Sequence, residues 1–246
     1  MKRGGFIAAG IVAFLVCLVA MIPATQLTGR LPPGATLSGV SGTIWSGKAR
    51  ALAVNGRPFG ALAWSCRPWR LLMLQWSCVL SLAPPGGRVE ADLAGNFGDQ
   101  LAAHELRGQV PISLFEGIAT PRGWTGNLEL DIGEVKFTGR RPAAAKGTLY
   151  LRQLRAPGAN GQLLGDFELV VGEGTVGGEA LNGRLRDLGG PLHVRGAVEL
   201  RDDGRYLLSG DAAPGPGAGP AIFDALGFLG PPDSQGRRPF TIEGTL

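Results

Sequence analysis

Apolar and polar residues alternate with a period of two along most of the chain. Leu62, Trp64 and Cys66 fall on one face of a strand. Leu74, Trp76, Cys78, Leu80 and Leu82 share a face of the next, with Gln75, Ser77 and Ser81 opposite. Val89, Ala91 and Leu93 alternate with Glu90 and Asp92, and Leu149 and Leu151 with Tyr150 and Arg152. Phe167, Leu169 and Val171 alternate with Asp166, Glu168 and Val170. Leu192, Val194, Val198 and Leu200 hold the same period, and Asp202-Asp203-Gly204 turns the chain. Leu128, Leu130 and Ile132 share a face until the phase slips at Gly133 to Val135 and Phe137, as a β-bulge would make it. Asn55-Gly56, between Leu52/Val54 and the strand of Leu62, predicts a tight hairpin. These segments recur about every 12–20 residues with turn signals between them, which predicts an antiparallel meander.

Helical signals are few. Pro68-Trp69-Arg70-Leu71-Leu72 predicts a helical turn, and Pro111–Pro121, with Ile112, Leu114, Phe115 and Ile118, a short helix or packed loop. Asp211–Pro220 is rich in Gly and Pro and predicts a surface loop. Pro220 then opens a short helix whose expected apolar stripe is Ile222, Phe223, Leu226 and Leu229. Phe240–Leu246 predicts a last strand. One-sided alternation over many strands needs a cover. A sandwich or closed barrel supplies one, and so does a strongly curved open sheet of the AsmA-like kind, which frequent Gly within strands favours. The expected class is therefore all-β: an N-terminal transmembrane helix, then a curved, mainly antiparallel sheet with one or two short helices.

The N-terminus breaks the alternation. Lys2 and Arg3 precede Phe6–Ile22, an apolar run interrupted only by Gly10 and Cys17. It is near the lower limit of roughly 17–25 residues for a spanning helix. The basic tip would stay in the cytoplasm and the remainder would lie across the membrane. A cleaved signal peptide is the alternative, but Ile22-Pro23-Ala24 is a poor match to a small-x-small cleavage pattern. The expected organisation is residues 1–24 as cytoplasmic tip and signal-anchor, 25–36 as linker, and 37–246 as a periplasmic β domain. On the far side of the membrane Cys66 and Cys78, on the apolar faces of successive strands, could form a disulfide worth about 3 kcal/mol. Two buried thiols are the other possibility.

Composition excludes more than it assigns. The net charge of +4 is spread along strands where bases alternate with acids (Arg184, Arg186 and Arg195 beside Asp187 and Glu199), so no nucleic-acid partner is expected. The 41 glycines are not periodic, which excludes a collagen-like chain. His104 and His193 have no ligand-spaced companions, so no metal site is expected. Gly172–Gly177 matches a dinucleotide glycine pattern, but Gly177, Gly178 and Gly183 spoil the helix it needs, so no cofactor is expected. Ser46 has no histidine near it in sequence, and Asp202 and Asp203 are adjacent and would point oppositely along a strand. A periplasmic hydrolase would need these groups to converge in a cleft; the expectation is a protein without catalytic residues.

One stretch carries a resemblance. Val40-Ser41-Gly42-Thr43-Ile44-Trp45-Ser46-Gly47-Lys48-Ala49 follows the apolar segment and a short linker. A strand ending in Ala61-Leu62-Ala63-Trp64 and the leucine-rich Arg67-Pro68-Trp69-Arg70-Leu71-Leu72 come next. Near the C-terminus an Ala-Leu-Gly helix, a Pro-Asp turn and a strand closing on Glu-Gly-Thr-Leu complete the pattern. In this order the chain resembles the type II secretion system protein N family of Gram-negative bacteria. The resemblance implies an inner-membrane accessory component of the machine that exports folded proteins across the outer membrane. Its partners would be other secretion subunits and inner-membrane lipid. Gly42, Thr43, Ile44, Trp45, Ser46 and Gly47 are the candidate docking or motif positions, within a strand whose ends bend at the glycines. The alternative function is a lipid or hydrophobic-ligand carrier that uses the apolar side of a curved sheet as its groove.

Overall fold

The computed structural model describes residues 14, 17–96, 100–117, 122–138, 141–157, 161–172, 180–201 and 204–245. They belong to two compact units, Met1–Pro85 and Gly86–Leu246. Residues 1–13, 15 and 16, which include most of the apolar run Phe6–Ile22, lie outside the described residues. Among the described residues no helix is long and apolar enough to cross a membrane.

The first unit holds strands β1 (Ala35–Ser38), β2 (Ser41–Gly42), β3 (Ser46–Val54), β4 (Arg57–Cys66) and β5 (Gln75–Ala83). Their order is β1-β3-β4-β5, all antiparallel, with β2 on the start of β3. Asn55 and Gly56 take φ values of 50° and 78°, the left-handed pair that a two-residue hairpin turn requires. Strands β4 and β5 pair Leu62 with Leu82, Trp64 with Leu80 and Cys66 with Cys78. Cys66 and Cys78 are joined as a disulfide, with Cα atoms 3.9 Å apart. The apolar face is covered from within the unit. Residues Ala24–Arg30, read from sequence as the last residue of the anchor and the start of the linker, form a 3-10 helix instead. Its Ala24 and Leu27 pack with Ala49, Trp64, Leu62 and Leu80. Only its two apolar residues at these positions face the sheet; Thr25, Gln26 and Thr28 are the polar residues between and after them. The predicted turn at Pro68 is a 3-10 helix, Pro68–Met73, and Leu74 caps it in the left-handed region at φ 55° rather than joining β5.

The second unit is a meander. It comprises β6 (Arg88–Asn96), β7 (Gln100–Pro111), β8 (Thr125–Thr138), β9 (Arg141–Arg155), β10 (Leu163–Val171), β11 (Ala180–Asp187), β12 (Leu192–Arg201), β13 (Arg205–Pro214) and β14 (Arg238–Thr245). Each strand is antiparallel to the next. The slip at Gly133 is a bulge, since the β8–β9 register passes from Ile132↔Gly147 to Glu134↔Lys146. A 3-10 helix occupies Ile112–Phe115. Asp211–Pro214, predicted as loop, continue β13, where Asp211 pairs with Arg195 across the ladder. Cross-strand pairing there overrides a local Gly/Pro signal. Residues 173–177 of the glycine pattern, and Asp202 and Asp203, lie outside the described residues. Gly204 N–H donates to the Arg201 carbonyl at 2.9 Å.

Helix α1 (Pro220–Gly227) packs on the apolar face through Ile222 and Leu226, one turn apart. Phe223, expected in the same stripe, is exposed, because it lies about 100° around the helix from Ile222. Between α1 and the sheet is a cavity of about 800 Å³. Leu128, Leu151, Phe167, Leu185, Val194, Leu208 and Phe240, one from each strand β8 to β14, line it. Seven flat strands would spread over roughly 29 Å. That all seven reach one cavity of this size means the sheet of this unit is strongly curved.

The opposite face carries cross-strand ion pairs: Arg107 with Asp131 at 3.2 Å, Arg152 with Glu129 and Asp166 at 3.4 Å each, and Arg195 with Asp211 at 2.9 Å. Arg237 also bonds Asp211. Glu168 is buried and receives a hydrogen bond from Arg186, which outweighs the cost of burial and holds its carboxyl below the usual range. Burial opposes ionisation of Asp211, but Arg195 and Arg237 overcome it and its pKa is also lowered. A lowered carboxylate pKa contributes stability above the unfolded-state value that is lost as pH falls through the folded-state value. Glu168→Gln should therefore cost about 1–3 kcal/mol at pH 7. The gap to the parent should close below about pH 4 in denaturant titrations. A gap that stays constant down to pH 3 would contradict this assignment.

Candidate functional site

The residues singled out by sequence span the turn between two strands rather than one continuous strand. Gly42 ends β2, Ser46 begins β3, and Thr43-Ile44-Trp45 bend between them. Thr43 organises the turn. Its amide donates to the Ser46 carbonyl at 2.8 Å, and its hydroxyl oxygen accepts from the Trp45 and Ser46 amides at 3.3 and 3.2 Å. Such side-chain-to-backbone bonds offer the chain an alternative to a strand ladder, which is why the strand propensity of Thr-Ile-Trp loses here. Gly42 sits at φ 96°, where a Cβ would also lie 2.5 Å from the Ser46 oxygen. Gly47 faces Trp64 so closely that a Cβ would lie 2.5 Å from the indole. Trp64 is buried, and its Nε1–H donates to the Thr43 carbonyl at 3.1 Å.

The outer side of this turn receives the end of the N-terminal apolar segment. Ile44 N–H donates to the Ile22 carbonyl at 3.0 Å, and Pro23 and Thr43 form a β-bridge. Trp45 Nε1–H donates to the Val19 carbonyl at 2.9 Å. The Ile44 side chain shares an apolar recess with Leu18, Ile22 and Leu27. On its inner side, the Trp45 carbonyl accepts the Cys66 amide at 2.6 Å, beside the disulfide. The motif thus joins three pieces of chain: residues 19–23, the tip of β2–β3 and the end of β4.

These contacts fasten the three pieces of chain together. Ser46 holds the turn through its backbone, and its own unit contains no His, Asp or Glu. In the second unit His193 Nδ1 lies 2.9 Å from Asp187 Oδ2. Burial opposes ionisation of Asp187, but His193 and the Val194 and Gly189 amides lower its pKa overall. His104 Nδ1 lies 3.9 Å from Glu134. No group of three His, Cys, Asp or Glu placed to hold a metal occurs among the described residues.

Sequence reasoning passed over one feature of the first unit. Residues 1–85 contain eight Lys and Arg and no Asp or Glu, whereas residues 86–246 contain sixteen basic and twenty acidic residues. The net charge of the whole chain hides this asymmetry; counting charge by unit would have exposed it.

The geometry predicts unequal costs at two motif positions. Gly47→Ala should destabilise the first unit by about 1–3 kcal/mol, since the new methyl must displace a buried indole. Trp45→Phe should cost only about 1 kcal/mol, one hydrogen bond. Urea unfolding of the full chain in detergent compares them; equal losses would contradict the packing described.

A family profile described as Type II secretion system (T2SS), protein N matches residues 33–241. Type II secretion system protein N of Aeromonas hydrophila is 30% identical over 261 residues, covering 100% of both chains. The protein of the same description from Vibrio cholerae serotype O1 is 25% identical over 228 residues, covering 88% of this chain and 87% of the relative. No solved structure matches the chain. The profile spans both the Gly42–Gly47 turn and helix α1, and the chain belongs to the type II secretion system protein N family.

Proposed function

We propose that this chain is an accessory component of the type II secretion system without catalytic residues, held in the inner membrane by its N-terminal segment with both β units in the periplasm. It would assist the export of folded proteins by contacting other subunits of the machine. The observation that carries this reading is the joint between the apolar segment and the Gly42–Gly47 turn. Ile22 and Val19 are bonded to Ile44 and Trp45, so a segment leaving the bilayer near Ile22 would enter the β structure at once. Trp45 would then sit at the membrane–water interface, a common place for an indole. Because the motif is engaged in internal contacts, docking falls to exposed sheet edges. Strand β14 pairs with β13 on one side and with no other strand among the described residues, and its Thr241 and Glu243 are exposed. A free edge can accept a partner's strand.

The cavity under α1 supports a second reading, a periplasmic carrier of a lipid or other apolar ligand. Its volume of about 800 Å³ falls within the range of roughly 300–1,000 Å³ typical of ligand sites, and its lining is aliphatic and aromatic but for Gln162.

One experiment separates the two. A photo-reactive amino acid replaces Thr241, Glu243 or Ala225 in separate bacterial strains, and mass spectrometry identifies what each captures. The assembly reading predicts secretion subunits at Thr241 or Glu243. Phospholipid captured at Ala225, with no secretion subunit at the edge positions, would favour the carrier instead.

A further inference from the structure

The connection between β4 and β5 is exposed and apolar. Trp69 is 61% exposed, Leu72 89%, Met73 73% and Leu74 70%. A connection this short could have been polar; here four large apolar side chains face outward together. They are held there rather than loosely displayed. The Cys66–Cys78 disulfide closes the base of the loop, Arg67 N–H donates to the Ser77 carbonyl at 2.9 Å, and the left-handed Leu74 bonds the Leu71 carbonyl at 3.0 Å.

We propose that the loop Arg67–Leu74 is a second membrane contact, which seats its apolar tip among the headgroups of the bilayer and its arginines against anionic phospholipid. The proposal rests on the anchored reading given above. Three observations select a bilayer over a protein partner. First, the loop continues directly from the anchor joint: Val19 O is bonded to the Trp45 indole, Trp45 O to the Cys66 amide, and the loop begins at Arg67. Second, Trp, Leu and Met beside Arg67 and Arg70 form an interfacial composition, aromatic and aliphatic groups for the acyl boundary and cations for phosphate. Third, the whole first unit lacks acids, so no carboxylate of its own would be brought against an anionic surface. Beyond Lys2 and Arg3 it carries Arg30, Lys48, Arg50, Arg57, Arg67 and Arg70. A second contact would fix the tilt of the unit on the membrane, which a single-segment anchor leaves free.

The test uses the full chain in vesicles of phosphatidylethanolamine and phosphatidylglycerol. A photo-reactive amino acid replaces Leu72, Leu18 or Ala63; Ala63 is an exposed position of β4 in the same unit. Intact disulfide on a non-reducing gel verifies folding of each variant. The expected result is phospholipid adducts at Leu72 at least about tenfold above Ala63. Arg67→Gln with Arg70→Gln should lower the Leu72 adduct by about fivefold or more, and phosphatidylcholine in place of phosphatidylglycerol should do the same. Adducts at Leu18 but not Leu72 would overturn the loop contact and leave the anchor standing. Adducts at neither would overturn both. Protein captured at Leu72 in place of lipid, when the experiment is repeated in native membranes, would also overturn the proposal.

Discussion

The Trp64 indole rests on Gly47 and donates to the Thr43 carbonyl, and the first unit is arranged around that contact. The ring needs a neighbour without a side chain on β3, which Gly47 supplies. Its N–H needs an acceptor in an otherwise apolar core, which the turn supplies by presenting Thr43 O inward. Once Thr43 points inward, Ile44 and Trp45 are left on the outer side, where they bond the chain at Ile22 and Val19. A single buried aromatic thus sets the shape of the turn, and the turn sets where the N-terminal segment attaches.

The second unit solves a different problem. Its strands alternate cleanly, but α1 is only eight residues long and buries two side chains on the sheet. Curvature brings the apolar faces of β8 to β14 toward one another and leaves the cavity beneath the helix. The outer face carries cross-strand pairs such as Glu168 with Arg186 and Asp211 with Arg195. Exposed pairs of this kind contribute little; the buried Glu168 is where breaking a partner is expensive.

Where local chemistry decides, the sequence was readable. Asn55-Gly56 demands left-handed φ values and makes its hairpin; Gly133 breaks the alternation and makes its bulge; Pro220 opens its helix. Where distant residues decide, it was not. Thr43-Ile44-Trp45 have strand propensities, yet the Thr43 hydroxyl and the Trp64 indole, 21 residues on, hold them in a turn. Asp211–Pro214 read as loop because the Arg195 pairing that keeps them in β13 comes from another strand. Ala24 read as the end of the anchor and Leu27 as linker because nothing in their immediate neighbours shows that a sheet needs covering. The outward-facing loop at Trp69–Leu74 was legible as a turn, but its exposure depends on the disulfide and on what lies across β4 and β5.

The Gly42–Gly47 turn fastens the N-terminal segment to the β structure. Hydrogen exchange of the full chain in lipid nanodiscs tests it at two protons, the Ile44 amide and the Trp45 indole N–H. Both should exchange slowly, and replacing Trp45 with Phe should speed exchange at Ile44 as the Val19 end of the joint loosens. Exchange of both protons at the rate of an open loop, with Trp64 Nε1–H still protected, would show a folded turn that holds nothing and would contradict it.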